Sequence, residues 1–213
     1  MIMKKIVSIL LILLSSQAYS QNKGVLKLFE EAKNDSVRID LLVDFFQPSN
    51  VLPADSMKYY YTLFREISQQ QLDKPSEAVI LCQIGYYLYM NGDLPRGLAL
   101  ATEGLQLAES ENNARALGIA NLGLQYFTSD PIKKNNYLRK AISYSQTAND
   151  KHSLTVEYRN LGHLYWGPLK IPDSAFHYYQ LAYNLSLKTN RSNDIVLNLI
   201  GLGSTHAANR SPA

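Results

Sequence analysis

The stretch Val156–Gly167, VEYRNLGHLYWG, places Gly162 inside a segment that otherwise has the pattern of a helix. Glycine within a helix costs about 0.5–1 kcal/mol relative to alanine, because its backbone loses more freedom on folding. Gly85, Gly123 and Gly201 lie in similar segments. A cost that recurs in this way indicates a shared packing requirement.

The four glycines follow one another at intervals of 38, 39 and 39 residues. Each comes directly after a large aliphatic residue, and the residue four positions before it is always apolar. Apolar residues at spacings of three and four form one stripe on a helix. A fixed period of this length, held over most of the chain, predicts a stacked repeat.

A second helix is predicted after each of the first three glycine helices. Asp93 and Asp130 are expected N-caps, since each is followed shortly by a proline that suits a first helical turn. Asp173 is the candidate cap of the third. Each unit therefore reads as a helical hairpin in which the glycine lies at the crossing and lets the partner backbone approach.

These units resemble tetratricopeptide repeats. The family's leucine-glycine-x-x-tyrosine pattern, followed by an alanine-rich second helix, matches Leu122-Gly123…Tyr126 and Leu161-Gly162…Tyr165. The alanines of the second helices are Ala141, Ala175 and Ala182. The first clear unit departs from the pattern at Gly97 and Gly104, and the period is longer than the family's usual 34 residues.

The resemblance covers about residues 36–208 and implies an all-α fold, a right-handed superhelix of antiparallel helix hairpins. The array is expected to fill residues 21–213, with units at approximately 36–70, 78–110, 116–148 and 155–189 and a partial unit at 194–208. Residues 21–33 are expected to form a short leading helix.

The N-terminus has the pattern of a secretory signal peptide at residues 1–20. Lys4 and Lys5 precede the apolar run Ile6–Leu14, and Ala18-Tyr19-Ser20 supplies a small-x-small site. Nine apolar residues span only about 14 Å as a helix, against a hydrocarbon core of about 30 Å, which favours a cleaved signal over an anchor. The mature chain is expected to be periplasmic or extracellular, without a membrane span.

Charge and cysteine content argue against nucleic-acid binding and against a disulfide-stabilised fold. Residues 1–20 hold two lysines and no acid, so 19 basic and 18 acidic groups remain after cleavage. A net charge of +1 gives no reason to expect nucleic-acid binding, although helical repeats of similar period bind RNA in other proteins. Cys82 is the only cysteine, so an intramolecular disulfide is excluded and a buried thiol is expected.

The resemblance implies a partner-binding groove lined by the first helix of each hairpin. It would hold a protein or peptide, and its wall would be aromatic with one fixed cation; aromatic residues and arginine are typical of interface hot spots. The implied groove residues are Tyr86, Tyr89, Met90, Leu124, Phe127, Arg159, His163, Trp166 and Asn198, with Cys82, Ala120, Thr128, Gly167, Leu202, Thr205 and His206 at equivalent positions. Burial of such an aromatic stripe in the core is the competing interpretation.

Nothing in the sequence indicates catalysis, a cofactor or a metal. None of the four histidines stands at metal-ligand spacing from another histidine or a carboxylate on one helix. No nucleophile motif or phosphate-binding loop is present, since the GLGS at 201–204 lies within a predicted helix.

Two functions fit this pattern. The first is a non-enzymatic exported scaffold for protein–protein interaction. The second is the N-terminal sensory module of a bacterial signal-transduction protein, a histidine kinase or helix-turn-helix regulator, because NDSVRIDLL at 34–42 resembles the start of such sensory arrays.

The last predicted helix, from Ile195 to about His206, has no second helix to cover its apolar side. An open apolar side indicates an interaction surface or a tendency to aggregate. We expect either that the natural polypeptide continues or that this helix docks on a partner or on another copy of the chain.

Overall fold

The computed structural model describes residues 73–210, with side chains up to His206, and the isolated residues Glu31 and Val37. The expected signal segment, leading helix and first hairpin (residues 1–20, 21–33 and 36–70) lie outside the described stretch. Residues 73–210 form seven α-helices and one 3₁₀ turn and contain no strand. In order they are α1 (Lys74–Met90), α2 (Leu94–Ser110), α3 (Ala114–Leu124), the 3₁₀ turn Gln125–Phe127, α4 (Pro131–Thr147), α5 (Lys151–Trp166), α6 (Pro172–Thr189) and α7 (Ser192–Arg210).

The helices pack as successive hairpins. Helix α1 pairs with α2, α3 with α4, and α5 with α6, whereas α7 packs on α6 and α5. The first helices also contact one another in sequence, α1 with α3, α3 with α5 and α5 with α7. We call α1, α3, α5 and α7 the A helices and α2, α4 and α6 the B helices. The all-helical, repeat-like fold is confirmed for this part of the chain, in which no helix is both long and apolar enough to span a bilayer.

Short polar side chains begin most of the helices. Asp93 and Asp130 cap α2 and α4 as predicted, because their carboxylates accept backbone N–H groups of the first turn. The expectation for Asp173 is wrong, since α6 begins at Pro172 and Asp173 lies inside its first turn. A proline at the helix start needs no cap for its own nitrogen, and an acid in the first turn still suits the helix dipole.

Asparagines end the hairpins. Asn112, Asn149 and Asn190, one after each B helix, have φ values of 46°, 53° and 52°. Asparagine enters this left-handed region more readily than most residues, because its short polar side chain can bond locally. Each asparagine therefore lets the chain leave one hairpin and start the next A helix within a few residues.

The crossing of α1 and α2 is a contact between two glycines. A β-carbon at Gly85 would lie 2.7 Å from the carbonyl oxygen of Gly97 and 3.0 Å from the nitrogen of Ala101. A β-carbon at Gly97 would in turn lie 2.7 Å from the oxygen of Gly85. Backbone meets backbone here, so neither position has room for a side chain. The departure from alanine at Gly97 thus has a packing reason.

Gly162 and Gly201 make room for a side chain instead of a backbone. A β-carbon at Gly162 would lie 2.7 Å from Cδ1 of Tyr179, and one at Gly201 would lie 2.5 Å from the same atom. The ring of Tyr179 is 1% exposed. One tyrosine of α6 therefore fills the space that glycines of two A helices leave open.

Gly123 does not fit the expected crossing. A β-carbon there would meet only the carbonyl oxygen of Cys82, at 3.9 Å, which is an ordinary contact distance. The small residue needed between α3 and α4 is Gly118, whose β-carbon would lie 2.8 Å from Oγ of Ser145. The close approach of α3 to α4 is therefore at Gly118, five residues before the predicted position at Gly123.

Small residues dominate the core near the described N-terminal end. Ala78, Cys82, Ala108, Ala116 and Ala120 are all buried there, together with larger aliphatic side chains. Their size allows the helices of the first two hairpins to approach closely. Cys82 is 1% exposed, and burial raises the pKa of its thiol to about 12. It is a packing residue, as its sequence context indicates.

A second core lies between the later hairpins. Leu138 of α4 packs with Leu161 and Leu164 of α5. The partly buried side chains around it are Leu122, Ile142, Tyr165, Leu169 and Tyr178. This core fixes α5, and hence Arg159 and His163, against α4 and α6.

Candidate partner-binding face

Four aromatic rings from two neighbouring A helices form one cluster. Tyr86 and Tyr89 belong to α1, and Tyr126 and Phe127 belong to the 3₁₀ turn after α3. Ring centroids are separated by 4.5 Å for Tyr86 and Tyr126 and by 5.2 Å for Tyr89 and Phe127. All four side chains are half-buried, so each keeps part of its surface open. We call this group the aromatic cluster.

The sequence pattern missed Tyr126 as a member of the cluster. The family pattern places Tyr126 in the repeat motif and predicts no change of helix type after Leu124. The change to 3₁₀ geometry after Leu124 lowers the number of residues per turn to about three and rotates the residues that follow. Tyr126 and Phe127 consequently reach the same group of rings.

A hydrogen bond holds the cluster to the next A helix. The Tyr126 hydroxyl donates to Oδ1 of Asn160 in α5 at 3.2 Å. Burial raises the pKa of Tyr126 and of Tyr86, so both phenols stay neutral at physiological pH. The cluster is therefore an uncharged surface whose hydroxyl groups can exchange hydrogen bonds with a ligand.

Arg159 is joined to the last A helix by an ion pair. Its Nη1 lies 2.7 Å from Oδ1 of Asp194 in α7, and the two side chains are 14% and 10% exposed. Asp194 also lies 3.4 Å from Nε of Arg191 and 3.7 Å from Nδ1 of His152. The expected fixed cation thus has an internal counter-charge. Asp194, which the sequence pattern did not single out, is the centre of this charge cluster.

His163 contacts Tyr179 through a hydrogen bond and through its ring. The Nδ1 atom of His163 lies 2.8 Å from the Tyr179 hydroxyl, and the two rings meet edge to face. Burial, and secondarily the charge of Arg159, lower the pKa of His163, while burial raises the pKa of Tyr179 to about 12. A neutral imidazole beside a protonated phenol can share one hydrogen bond between the Tyr179 hydroxyl and Nδ1, and the tautomer of His163 sets which of the two donates.

Two of the predicted groove residues are interior. Leu124 is 6% exposed, because it ends α3 where the chain turns toward α4, and Asn198 is 0% exposed on the inner side of α7. Neither can line an open groove, and the same correction applies to Cys82, Ala120 and Thr205. Among the described residues, neither amide atom of Asn198 has a hydrogen-bond partner.

Met90 and Trp166 occupy the C-terminal ends of their helices. Met90, the last residue of α1, is 47% exposed, and Trp166, the last residue of α5, is half-buried. Met90 directly follows Tyr89 in the sequence, so it is an exposed apolar side chain at the end of the helix that carries two rings of the cluster.

A second group of tyrosines lies between α5 and α6. Tyr178 stacks on Tyr165 with centroids 5.4 Å apart and on Tyr158 at 6.4 Å. Nη2 of Arg139 in α4 donates to the hydroxyls of Tyr165 and Tyr178 at 3.2 and 3.3 Å. These rings stack on one another, and Arg139 is hydrogen-bonded to two of them, so the group links the second described hairpin to the third. Within the described residues no three His, Cys, Asp or Glu side chains group in a way that could hold a metal ion.

The comparisons with known proteins bear on the fold. No protein-family model matches the sequence, and no curated protein matches it. Among solved structures the chain is similar to BtubC (BKLC) from P. vanneervenii, with a TM-score of 0.58 and 15% sequence identity over 91% of this chain and 82% of that chain. Similarity at this level of identity shows a shared helical, repeat-like architecture.

Proposed function

We propose that this chain is an exported, non-enzymatic repeat protein of the tetratricopeptide type, whose hairpins stack in a right-handed superhelix. Its function is to bind a protein or peptide segment on the face formed by the A helices. The observation that carries this proposal is the aromatic cluster, in which four partly open rings from two hairpins lie within contact of one another.

The cluster suits a binding role because it is ordered before a ligand arrives. Tyrosine and phenylalanine offer large contact areas and few rotatable bonds, so they lose little entropy on binding. Here the contact of Tyr86 with Tyr126, and the bond from Tyr126 to Asn160, restrict the rings further. Met90, which follows Tyr89 in the sequence and is 47% exposed, would add an adaptable apolar surface.

The charges of the face indicate the chemistry of the partner. Arg159 is committed to Asp194, so an acidic segment would have to break a short internal ion pair to use it. Apolar and aromatic side chains of the partner, with backbone groups that hydrogen-bond to phenol hydroxyls, suit this surface better. Binding should therefore depend only weakly on salt concentration.

Selection from a random peptide library on the immobilised protein tests the proposal. Selected peptides should be rich in apolar and aromatic residues, and Tyr89→Ala should weaken their binding at least tenfold. Tyr183→Ala is the matched control, because Tyr183 is also a half-buried tyrosine but lies on a B helix, α6. Equal loss of binding in both variants, at equal melting temperature, would argue against the aromatic cluster as the site.

Export is tested separately by N-terminal sequencing of protein recovered from a bacterial host. Cleavage at the small-x-small site predicts a mature chain that begins at Gln21. A chain retained in the cytoplasm with residues 1–20 intact would refute the export part of the proposal.

A further inference from the structure

Helix α7 has its polar side inward and its apolar side outward. The residues that it buries against the array are Asp194, Asn198, Gly201 and Thr205, none of them a large apolar residue. The residues that it exposes are Val196, Leu197, Leu199 and Ile200, with exposed fractions of 55%, 47%, 47% and 61%, followed by Gly203 and Ser204. We call these six residues the outer face of α7. This arrangement is the reverse of an ordinary surface helix.

The earlier A helices show how exposed the residue before each repeat glycine is. Ile200 stands directly before Gly201, as Ile84 stands before Gly85 and Leu161 before Gly162. Ile84 and Leu161 are both 0% exposed, whereas Ile200 is 61% exposed. The equivalent Leu122, before Gly123, is partly buried, so in the earlier hairpins this position is buried or partly buried. The outer face of α7 therefore carries the residue types of a covered surface.

We propose that a second copy of this chain covers the outer face of α7, with the two α7 helices packed antiparallel about a twofold axis near Ile200. Such an interface is isologous, so each copy offers the same patch. Residue pairs whose numbers add to 400 then face one another. Leu197 of one copy meets Gly203 of the other, and Val196 meets Ser204.

This pairing matches large residues with small ones. The N-terminal half of the outer face is aliphatic, and its C-terminal half is small. A β-carbon at Gly203 would meet no atom of another part of the described structure within 4 Å. A parallel pairing would instead place large residues against large ones and small against small. Antiparallel packing thus gives closer contact along the whole face.

The charges are also compatible with self-pairing. No charged side chain occurs from Ile195 to Thr205, so no ion loses its hydration when the two faces meet. In the antiparallel arrangement the helix dipoles oppose each other, which is favourable. An uncharged face is best matched by another uncharged face, and the chain supplies one itself. Because three turns of one helix offer less than the usual ~800 Å² per partner, the dimer is expected to be weak and concentration-dependent.

Sedimentation equilibrium of the full chain, produced with its own N-terminal segment in an exporting bacterial host, measures the association. Wild-type protein should pass from monomer to dimer over roughly two decades of concentration. Ile200→Lys should lower the association constant at least tenfold, whereas Ile132→Lys should leave it unchanged, since Ile132 is 69% exposed on α4, away from this face. A monomeric wild type, or equal association of wild type and Ile200→Lys, would overturn the proposal. Binding of a monomeric wild type to phosphatidylcholine vesicles would assign the face to lipid instead.

Disulfide trapping tests the orientation of the two helices. Ile200→Cys should cross-link to itself, because residue 200 lies near the axis. Leu197→Cys alone should not, since its two sulfurs would be about 9 Å apart along the helices. A mixture of Leu197→Cys with Gly203→Cys should cross-link to a mixed dimer. The native Cys82 is buried and does not compete. Equal cross-linking of Ile200→Cys and Leu197→Cys would contradict the antiparallel register.

Discussion

The phenol ring of Tyr179 lies directly against Gly162: a β-carbon at position 162 would come within 2.7 Å of ring atoms Cδ1 and Cε1. Gly201 lies against the same ring, and the Tyr179 hydroxyl is hydrogen-bonded to His163. The two glycines and the hydrogen bond therefore restrict the movement of the ring. In this hairpin the repeat glycine, Gly162, leaves the space that the Tyr179 side chain occupies.

Gly162→Ala should destabilise the protein by about 1–3 kcal/mol, because the methyl group overpacks a ring whose movement is restricted. Gly123→Ala should stabilise it by roughly 0.5–1 kcal/mol, since alanine favours the helix and a β-carbon at Gly123 makes only an ordinary contact. Urea unfolding of both variants measures the difference. Free energies of unfolding that change in the same direction would refute the distinction between the two glycines.

Glu157 should make stability depend on pH. Its side chain is 0% exposed, and Oε1 accepts a hydrogen bond from Oγ of Ser145 at 2.7 Å. Burial raises the pKa of Glu157 to about 8; the Ser145 bond opposes this rise, and the charge of Asp150 adds to it. In the unfolded chain the pKa of a glutamate is about 4.3.

Between these two pKa values the folded protein holds a proton that the unfolded chain has released. The contribution of Glu157 to stability is therefore fully present below about pH 4, and it declines by about 1.4 kcal/mol per pH unit until the folded pKa is passed. Glu157→Gln should remove this decline. Unfolding free energies of both proteins, measured from acid to mildly alkaline pH, give the two slopes. Parallel curves would show that Glu157 does not carry a proton in the folded state.

The ion pair between Arg159 and Asp194 should hold α7 on the array. Asp194→Asn removes the negative charge that faces Arg159, Arg191 and His152, and should cost about 1–3 kcal/mol, because the arginine side chain is largely buried. Asp173→Asn is the control, since Asp173 is an exposed acid in the first turn of α6.

Hydrogen exchange locates the effect of Asp194→Asn. Amides of α7 should exchange faster in this variant, while those of α1 and α2 keep their rates. Local opening of α7 does not require opening of the hairpin formed by α1 and α2. A uniform rise in exchange along the chain would mean that the pair stabilises the whole fold instead of its end.

Periodicity predicted the hairpins because it depends on which residues are buried, and the same residue types recur at each A helix. Gly123 shows where this reasoning stops. Its sequence context matches that of Gly162, yet the close contact of α3 lies at Gly118, since the approach of two helices depends on side chains such as Ser145 that are distant in sequence.

The site was predictable only in part for the same reason. Tyr86, Tyr89 and Phe127 lie together in one cluster, and their role as groove residues stays a prediction. Tyr126 lies with them because of a 3₁₀ turn that no residue of the motif predicts. Arg159 is paired with Asp194, which is 35 residues away in the sequence. The apolar character of α7 was visible in the sequence. That its polar side faces inward is shown by the burial of Asp194, Asn198 and Thr205, which depends on how α7 packs against the array.

Hydrogen exchange of the protein with a library-selected peptide bound tests the central claim most directly. We predict slower exchange in the C-terminal half of α1, in the 3₁₀ turn Gln125–Phe127 and in α5, with α2, α4 and α6 unchanged. Protection confined to the B helices, with the amides around Tyr89 and Phe127 unaffected, would contradict the assignment of the A-helix face as the binding surface.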